Sequence, residues 1–280
     1  MENYTNGLNI SEMFENSRPS NIFSTKTIAE YIKDKSVNLI AVDRLSSTNT
    51  VLKSLSNVLP DKTVLIADSQ TQGRGRLNKS FFSPCGSGLY MSVLVRNNYS
   101  YKDALMITPL VAVAVLDIIK EYSNNAKIKW VNDIYIDDKK ACGILTESSF
   151  NNETQLTDYI VIGIGLNVKN PENDFPNDIA NIATTLFGEK INTNMDLLAA
   201  NLINSVFSRL EKFDCKEIAD IYAKNSYLDG KTVNVITATE TYKAKVLGVD
   251  ECLRLIIKNS DGEVVTLSSG EVSTIPINYE

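Results

Sequence analysis

Three stretches of the chain gather residue types that bind anions. The first is Gly73-Arg74-Gly75-Arg76. Its glycines let backbone N–H groups approach a ligand with no Cβ in the way. In an extended backbone Arg74 and Arg76 point to the same side, and two guanidinium groups beside bare main chain suit a phosphate or a carboxylate. The same four residues also read as a basic surface loop. The second stretch runs from Lys129-Trp130-Val131-Asn132-Asp133 to Lys139-Lys140-Ala141-Cys142-Gly143. Asn132 and Asp133 suit a magnesium ion or the adenine and ribose edge of a nucleotide. Lys140 emerges from a tight turn, and Gly143 leaves room over the strand that follows. Taken alone, Lys139-Lys140 is equally a solvated hairpin tip, and Trp130 a packing residue. The third is Gly163-Ile164-Gly165-Leu166-Asn167. Two glycines inside an apolar strand imply a close approach to the backbone, either by a ligand or by neighbouring side chains, and Asn167 offers both a donor and an acceptor.

The chain contains no histidine. That removes Ser-His-Asp and Cys-His catalysis and any histidine-bound zinc or haem, so chemistry here rests on Lys, Arg, carboxylates, backbone N–H groups and an oxygen-bound metal. Its 280 residues carry 28 Lys+Arg against 34 Asp+Glu, a net charge of −6, with 43% hydrophobic residues. This is the composition of a soluble chain with a proper core, and its acidity argues against a coat for nucleic-acid backbone. Cys85, Cys142, Cys215 and Cys252 are widely spaced, with no CxxC pair, as expected of reduced thiols in a cytoplasmic protein. The amino-terminal residues lack a basic-then-apolar signal. The longest apolar run, Ala104 to Ile119, is short for a bilayer and is interrupted by Thr108, Pro109 and Asp117.

The elements that must position these residues follow from periodicity. Residues 1–22 are polar and read as a flexible lead segment. A short helix is expected over 24–34 and a strand over Val37 to Val42. Ser47-Thr48-Asn49 then starts a helix with a hydroxyl or amide cap, carried by Val51, Leu52, Leu55 and Leu59 up to Pro60. Strands follow at Val64 to Ala67 and Leu89 to Val95, flanking the glycine-arginine loop. An apolar helix over 103–122 has Pro109 near its first turn, where proline is tolerated. Ile134 and Ile136 alternate with Tyr135 and Asp137 ahead of a turn, a hairpin signature. Tyr159 to Val168 is a strand, 170–195 loops, Leu197 to Phe213 an amphipathic helix and Lys216 to Lys224 another. From Gly230 onward only short β-type runs occur, separated by turns at Asp261-Gly262 and Ser269-Gly270. They suggest a small five-strand SH3-like barrel. The expected divisions are 1–22, 23–228 and 229–280.

The motif order STN, QTQGRGR, SPCGSGLY, KWVND(I)Y with a lysine and GI behind it, GIGLNV, and GEVS in the terminal module resembles the biotin protein ligases over roughly Val37 to Ile275. The resemblance implies a class II aminoacyl-tRNA-synthetase-like α/β (α+β) catalytic domain with a C-terminal SH3-like β-barrel. It also implies an ATP-dependent enzyme that makes biotinyl-5′-AMP and passes biotin to a carrier lysine.

By that resemblance Ser47, Thr48, Asn49, Gln70 and Gly143 belong to the biotin pocket, and Gly73, Arg74, Gly75 and Arg76 to a mobile loop over biotin and the adenylate. Lys140 contacts the biotin carboxylate and the α-phosphate. Arg76, Lys79, Asn132, Asp133 and Asn167 surround ATP, with Asp133 a candidate for Mg2+. Arg74 and Lys140 are the expected catalytic pair. The family usually has Pro at Val131, and Gly-Arg-x-Trp where this chain has Asn78-Lys79-Ser80-Phe81. The expected partner is the biotin carboxyl carrier domain of a carboxylase such as acetyl-CoA carboxylase, with the ligase a monomer or homodimer. Only about 36 residues precede the first catalytic strand, short for a winged helix-turn-helix, so neither DNA nor membrane binding is expected. The alternatives are a lipoate or octanoate ligase or transferase of the same fold, and a non-catalytic biotin sensor.

Overall fold

The computed structural model describes residues 14–189, 193–236, 240–268 and 271–274. Within them a seven-stranded sheet forms the main layer. Its strands are β1 (Asn38–Leu45), β2 (Thr63–Gln70), β3 (Gly88–Val95), β4 (Lys127–Lys129), β5 (Asp133–Ile136), β6 (Lys139–Phe150) and β7 (Thr157–Asn167), in spatial order β1-β2-β3-β7-β6-β5-β4. Only β1 and β2 run parallel; the other pairs are antiparallel. β3 and β7 sit near the centre and are apolar almost throughout, as strands covered on both faces must be.

One face is covered by α3 (Tyr101–Lys120), on which α4 (Met195–Lys212) and α5 (Cys215–Lys224) pack, with α1 (Thr25–Tyr31) against α4 and β1. Each of these four helix starts is capped by the side chain that its sequence supplies. Ser24 Oγ accepts from Thr27 N, Ser100 Oγ from Asp103 N, Asn194 Oδ1 from Leu197 N, and Asp214 Oδ1 from both Lys216 N and Glu217 N. The opposite face carries the short helix α2 (Thr48–Ser54) and, beside it, the glycine-arginine loop.

Four expectations change. Pro109 lies nine residues into α3, not in its first turn. The helix begins earlier than its apolar run, and the buried residues around Pro109 hold it through the lost amide donor. α2 is shorter than its apolar spacing promised, and Ser47 at its N-cap makes no capping hydrogen bond. The strand β4 is absent from the sequence reading because Lys-Ile-Lys carries one buried residue and no pattern. Residues 14–22, expected to be loose, lie against β1 and β2. Phe14 is buried among Val42, Leu45, Leu52 and Leu59, the Glu15 carboxylate accepts from Ser46, and Asp68 accepts from Ser20 Oγ and Asn21 N. One buried aromatic and a buried carboxylate acceptor fix a segment whose composition is otherwise polar. Residues 1–13 lie outside the described residues.

The carboxy-terminal unit is a five-stranded antiparallel sheet of β8 (Thr232–Ile236), β9 (Thr241–Val249), β10 (Leu255–Asn259), β11 (Val264–Leu267) and β12 (Glu271–Thr274), ordered β11-β10-β9-β8-β12. Alternation in β8, β9 and β10 buries Val233, Val235, Ala244, Val246, Leu255 and Ile257. The expected turn at Ser269-Gly270 lies outside the described residues. The four cysteines are unpaired. Among the described residues no helix is long and apolar enough to cross a membrane.

Candidate active site

The floor of the site follows from register. On the face that α2 covers, Ser92 of β3 pairs with Gly163 of β7, which pairs with Leu145 of β6; the next row is Tyr90, Gly165 and Gly143. Side chains on one face recur every second residue, so the two rows set three glycines together under α2 and the loop. The close approach predicted at the glycines is made here by neighbouring side chains. A Cβ on Gly163 would lie 2.2 Å from Asn49 Oδ1, and one on Gly165 would lie 2.6 Å from the Phe81 ring.

Above this floor the polar residues of α2 form a closed network. Ser92 Oγ bonds Asn49 Oδ1 (2.6 Å) and Thr48 Oγ1 (2.7 Å). Asn49 Nδ2 donates to Leu145 O and to Glu147 Oε2, both at 3.1 Å. Gln70 Oε1 accepts from Thr48 N (2.9 Å), while its Nε2 donates to Ser83 Oγ (2.9 Å). Ser47, Thr48 and Asn49 are all buried. Buried polar groups bonded on every side are held in one orientation.

The glycine-arginine loop folds back on itself. Gly75 N donates to Lys79 O, Lys79 N to Arg76 O and Phe81 N to Gly73 O, while Leu77 and Asn78 take left-handed backbone angles. The extended reading therefore ends at Arg76, where a 3-10 turn (Arg76–Asn78) begins. The two guanidinium groups part company. Arg76 Nη1 donates to Asn132 Oδ1 (3.1 Å), and Arg74 makes two bonds to the Glu147 carboxylate (3.0 and 3.1 Å).

Lys140 leaves the β5–β6 turn, in which Asp137 and Asp138 both have positive φ. Its Nζ is 2.8 Å from Asp133 Oδ1 and 5.9 Å from the Phe81 ring centroid. Asn132 Nδ2 donates to Asp133 Oδ1 and to Ile144 O, and Asn167 Nδ2 to Thr184 O. Burial and the Asp133 charge push the Tyr135 hydroxyl up to about 12 despite Lys140 and Lys79, so it stays protonated.

These groups line two adjoining spaces. A narrow cleft of about 40 Å3 is bordered by Ser47, Thr48, Asn49, Gln70, Arg74, Gly75 and Gly143. A wider cavity of about 330 Å3 is bordered by Lys79, Asp133, Asn167, Trp130 and Phe82. Gly75, Arg76, Phe81, Asn132 and Lys140 border both. Gly73 alone of the expected residues stands behind the lining, its Cβ direction blocked by Phe81 O at 2.3 Å. Ser83, Ser92 and Glu147 stand outside the expected set. Ser83 opens the SPCGSGLY motif without a role read from it, whereas Ser92 and Glu147 are single polar residues in strands; the signal for Glu147 is its place on the same face of β6 as Gly143 and Leu145. Among the described residues no three of Cys, Asp and Glu cluster to hold a metal.

Residues 41–167 match the model of the biotin/lipoate A/B protein ligase family, and 230–274 match that of the biotin protein ligase C-terminal domain. The chain is 34% identical over 240 residues to the bifunctional ligase/repressor BirA of Bacillus subtilis, covering 80% of this chain and 70% of the relative. It is 28% identical over 261 residues to BirA of Escherichia coli K12, covering 91% and 79%. The biotin protein ligase of Aquifex aeolicus in complex with biotin and ATP superposes with a TM-score of 0.70 at 28% identity, covering 84% of this chain and 97% of that one.

Proposed function

Since the chain belongs to the biotin protein ligase family, and is thereby a biotin ligase, we propose that it joins biotin to protein in two steps across the two adjoining spaces. Biotin occupies the narrow cleft, its ureido ring against Ser47, Thr48, Asn49 and Gln70 and its carboxylate toward Lys140. ATP occupies the wider cavity with its α-phosphate at the junction. The carboxylate oxygen attacks the α-phosphorus, the bond to the β-phosphate oxygen breaks, and pyrophosphate leaves, giving biotinyl-5′-AMP. A carboxylate is already ionised at neutral pH, so no general base is needed, and the absence of histidine costs nothing. The difficulty is electrostatic, since two anions must meet.

The observation that carries this reading is the position of Arg76 and Lys140, which border both spaces. Fixed cations at the junction neutralise charge as it develops on the α-phosphate. Lys79, Asn132 and Asn167 then serve the nucleotide. Among the described residues Asp133 is the one carboxylate on the wider cavity, which suits a magnesium ion arriving with its phosphates rather than a dedicated cage. Such an ion would add positive charge to the triphosphate.

In the second step the neutral amine of a carrier-domain lysine attacks the acyl carbon of the anhydride. AMP and a proton from the amine nitrogen leave, and an amide remains. The acceptor is the lysine of a biotin carboxyl carrier domain.

The test is incubation with biotin, magnesium-ATP and an unmodified carrier domain, read on a streptavidin blot and as pyrophosphate released. Labelling of the single carrier lysine is expected. Pyrophosphate release with lipoate and not with biotin would overturn the substrate assignment.

A further inference from the structure

We propose that Glu147 is a positioning residue, a carboxylate latch that holds the glycine-arginine loop closed over the cleft by capturing Arg74. The inference rests on the ligase reading above and assigns Arg74 its work there.

The geometry is specific. Both Glu147 oxygens accept from Arg74, at 3.0 and 3.1 Å, which is the fork-to-fork pairing that gives an arginine–carboxylate bond its direction. Lys53 Nζ of α2 donates to the same carboxylate at 2.7 Å, and Asn49 Nδ2 at 3.1 Å. One carboxylate thus ties together the loop, the helix that caps the cleft and the central sheet. The Glu147 side chain is 16% exposed and that of Arg74 42%, so the pair is sheltered on the sheet side and open on the solvent side. A latch that must release product needs both. Burial pushes the Glu147 carboxyl up, but the hydrogen bonds from Lys53 and Asn49 and the Arg74 charge outweigh it and hold it below the ordinary carboxylate value. Glu147 is therefore ionised at neutral pH.

The pairing also divides labour between the two arginines. Arg74, its fork committed to Glu147, grips the sheet. Arg76, donating to Asn132 Oδ1 instead, borders the junction of the two spaces. Closure matters because the adenylate is a mixed anhydride that water destroys, and a loop held shut excludes water and keeps the intermediate from diffusing to other amines. Glu147 touches neither reacting group. Its influence passes through Arg74 and Asn49.

The experiment uses the full chain and four variants, Glu147→Gln, Arg74→Gln, the two combined, and the charge swap Arg74→Glu/Glu147→Arg. Hydrogen exchange without ligands reads the latch itself. Glu147→Gln should raise exchange of the amides in 73–81 while protection in β3 and β7 stays as in the parent protein. With biotin and magnesium-ATP, free biotinyl-5′-AMP in an ultrafiltrate should rise about tenfold, as expected for losing one partner of a hydrogen-bonded charge pair. Arg74→Gln should do the same, the two changes combined should leak no more than either alone, and the charge swap should recover part of the retention. Unchanged exchange in 73–81, or effects that add in the combined variant, would overturn the latch. Should Glu147→Gln fold poorly, Arg74→Gln carries the same two readouts from a more exposed position. A parent protein that forms no adenylate sinks the ligase mechanism, yet leaves the exchange result to decide the latch.

Discussion

Lys140 is held by neighbours rather than by its own stiffness. Asp133 lies 2.8 Å from its ammonium, and Gly143 leaves the space that its last two side-chain atoms fill, 3.1 Å from where a Cβ would stand. A cation fixed in place before the substrates arrive stabilises the transition state without reorganising. Lys140→Ala should lower pyrophosphate release about 10²–10³-fold, with the circular dichroism spectrum unchanged; turnover within a few-fold of the parent would remove Lys140 from the reaction. At this scale the sequence was informative where several residues of unusual type stood together. Gly73 to Arg76, Asn132-Asp133 and Lys140 could be picked out by type and spacing. Glu147 and Ser92 could not, since their meaning comes from partners 98 and 43 positions away, Asn49 in both cases. What the glycines of β7 accommodate was open for the same reason. Only the register of three strands shows that Asn49 and Phe81 fill the space above them.

Elements translate those contacts into tolerance for change. β7 carries Gly163 beneath Asn49, a short side chain pinned by its bonds to Ser92, Leu145 and Glu147. Gly163→Ala must displace it, because the clash at 2.2 Å has no flexible chain end to absorb it. The KM for biotin should rise about tenfold or more, the cost of breaking a buried hydrogen-bonded group, with a smaller change in the KM for ATP. Equal changes in both would mean that the whole loop had moved. Elements with a strong period were legible: α4, the β5–β6 hairpin and β7 stand close to where alternation and apolar spacing put them. Those that depend on a distant surface were not. β4 is three residues long, and residues 14–22 are ordered by Phe14 and Asp68 rather than by a pattern. Ion pairs at element ends also tune stability. Lys62, entering β2, donates to Asp34 in the turn after α1 at 2.6 Å, and that bond, with those from Ser36, holds the Asp34 carboxyl well below the usual range. A lowered carboxylate value contributes stability above its unfolded value, about 3.9, and loses it as pH falls through the folded one. Urea midpoints of the parent and Asp34→Asn should therefore differ at pH 7 and converge toward pH 2. A constant gap would show that the charge is irrelevant.

The whole molecule adds a second layer of control, because the C-terminal unit reaches the wider cavity and the segment beside it at three points. Trp130 Nε1, two residues before the Asn132-Asp133 pair, donates to Leu253 O at 2.8 Å. Val272 of β12 forms part of the wall of the wider cavity. At the tip of the β5–β6 hairpin, Lys231 lies 3.4 Å from Asp138 and 3.4 Å from the Tyr227 ring centroid, and Tyr227 packs on Tyr135 at 4.8 Å. This unit thus braces both ends of the segment that carries Asn132, Asp133 and Lys140, and among the described residues none of these contacts reaches Ser47, Thr48 or Asn49. That asymmetry makes a prediction. Trp130→Phe keeps most of the buried ring and deletes one donor, leaving the Leu253 carbonyl short of a partner at a cost of about 1–3 kcal/mol. If the brace positions the nucleotide side, the KM for ATP should rise several-fold while the KM for biotin stays near the parent value, and isothermal titration with biotin alone should be unaltered. A loss shared equally by both substrates would instead mean that the bond only stabilises the fold. An unchanged ATP response would make the C-terminal sheet a passenger in the first step and leave its role to the second, where the carrier domain must approach.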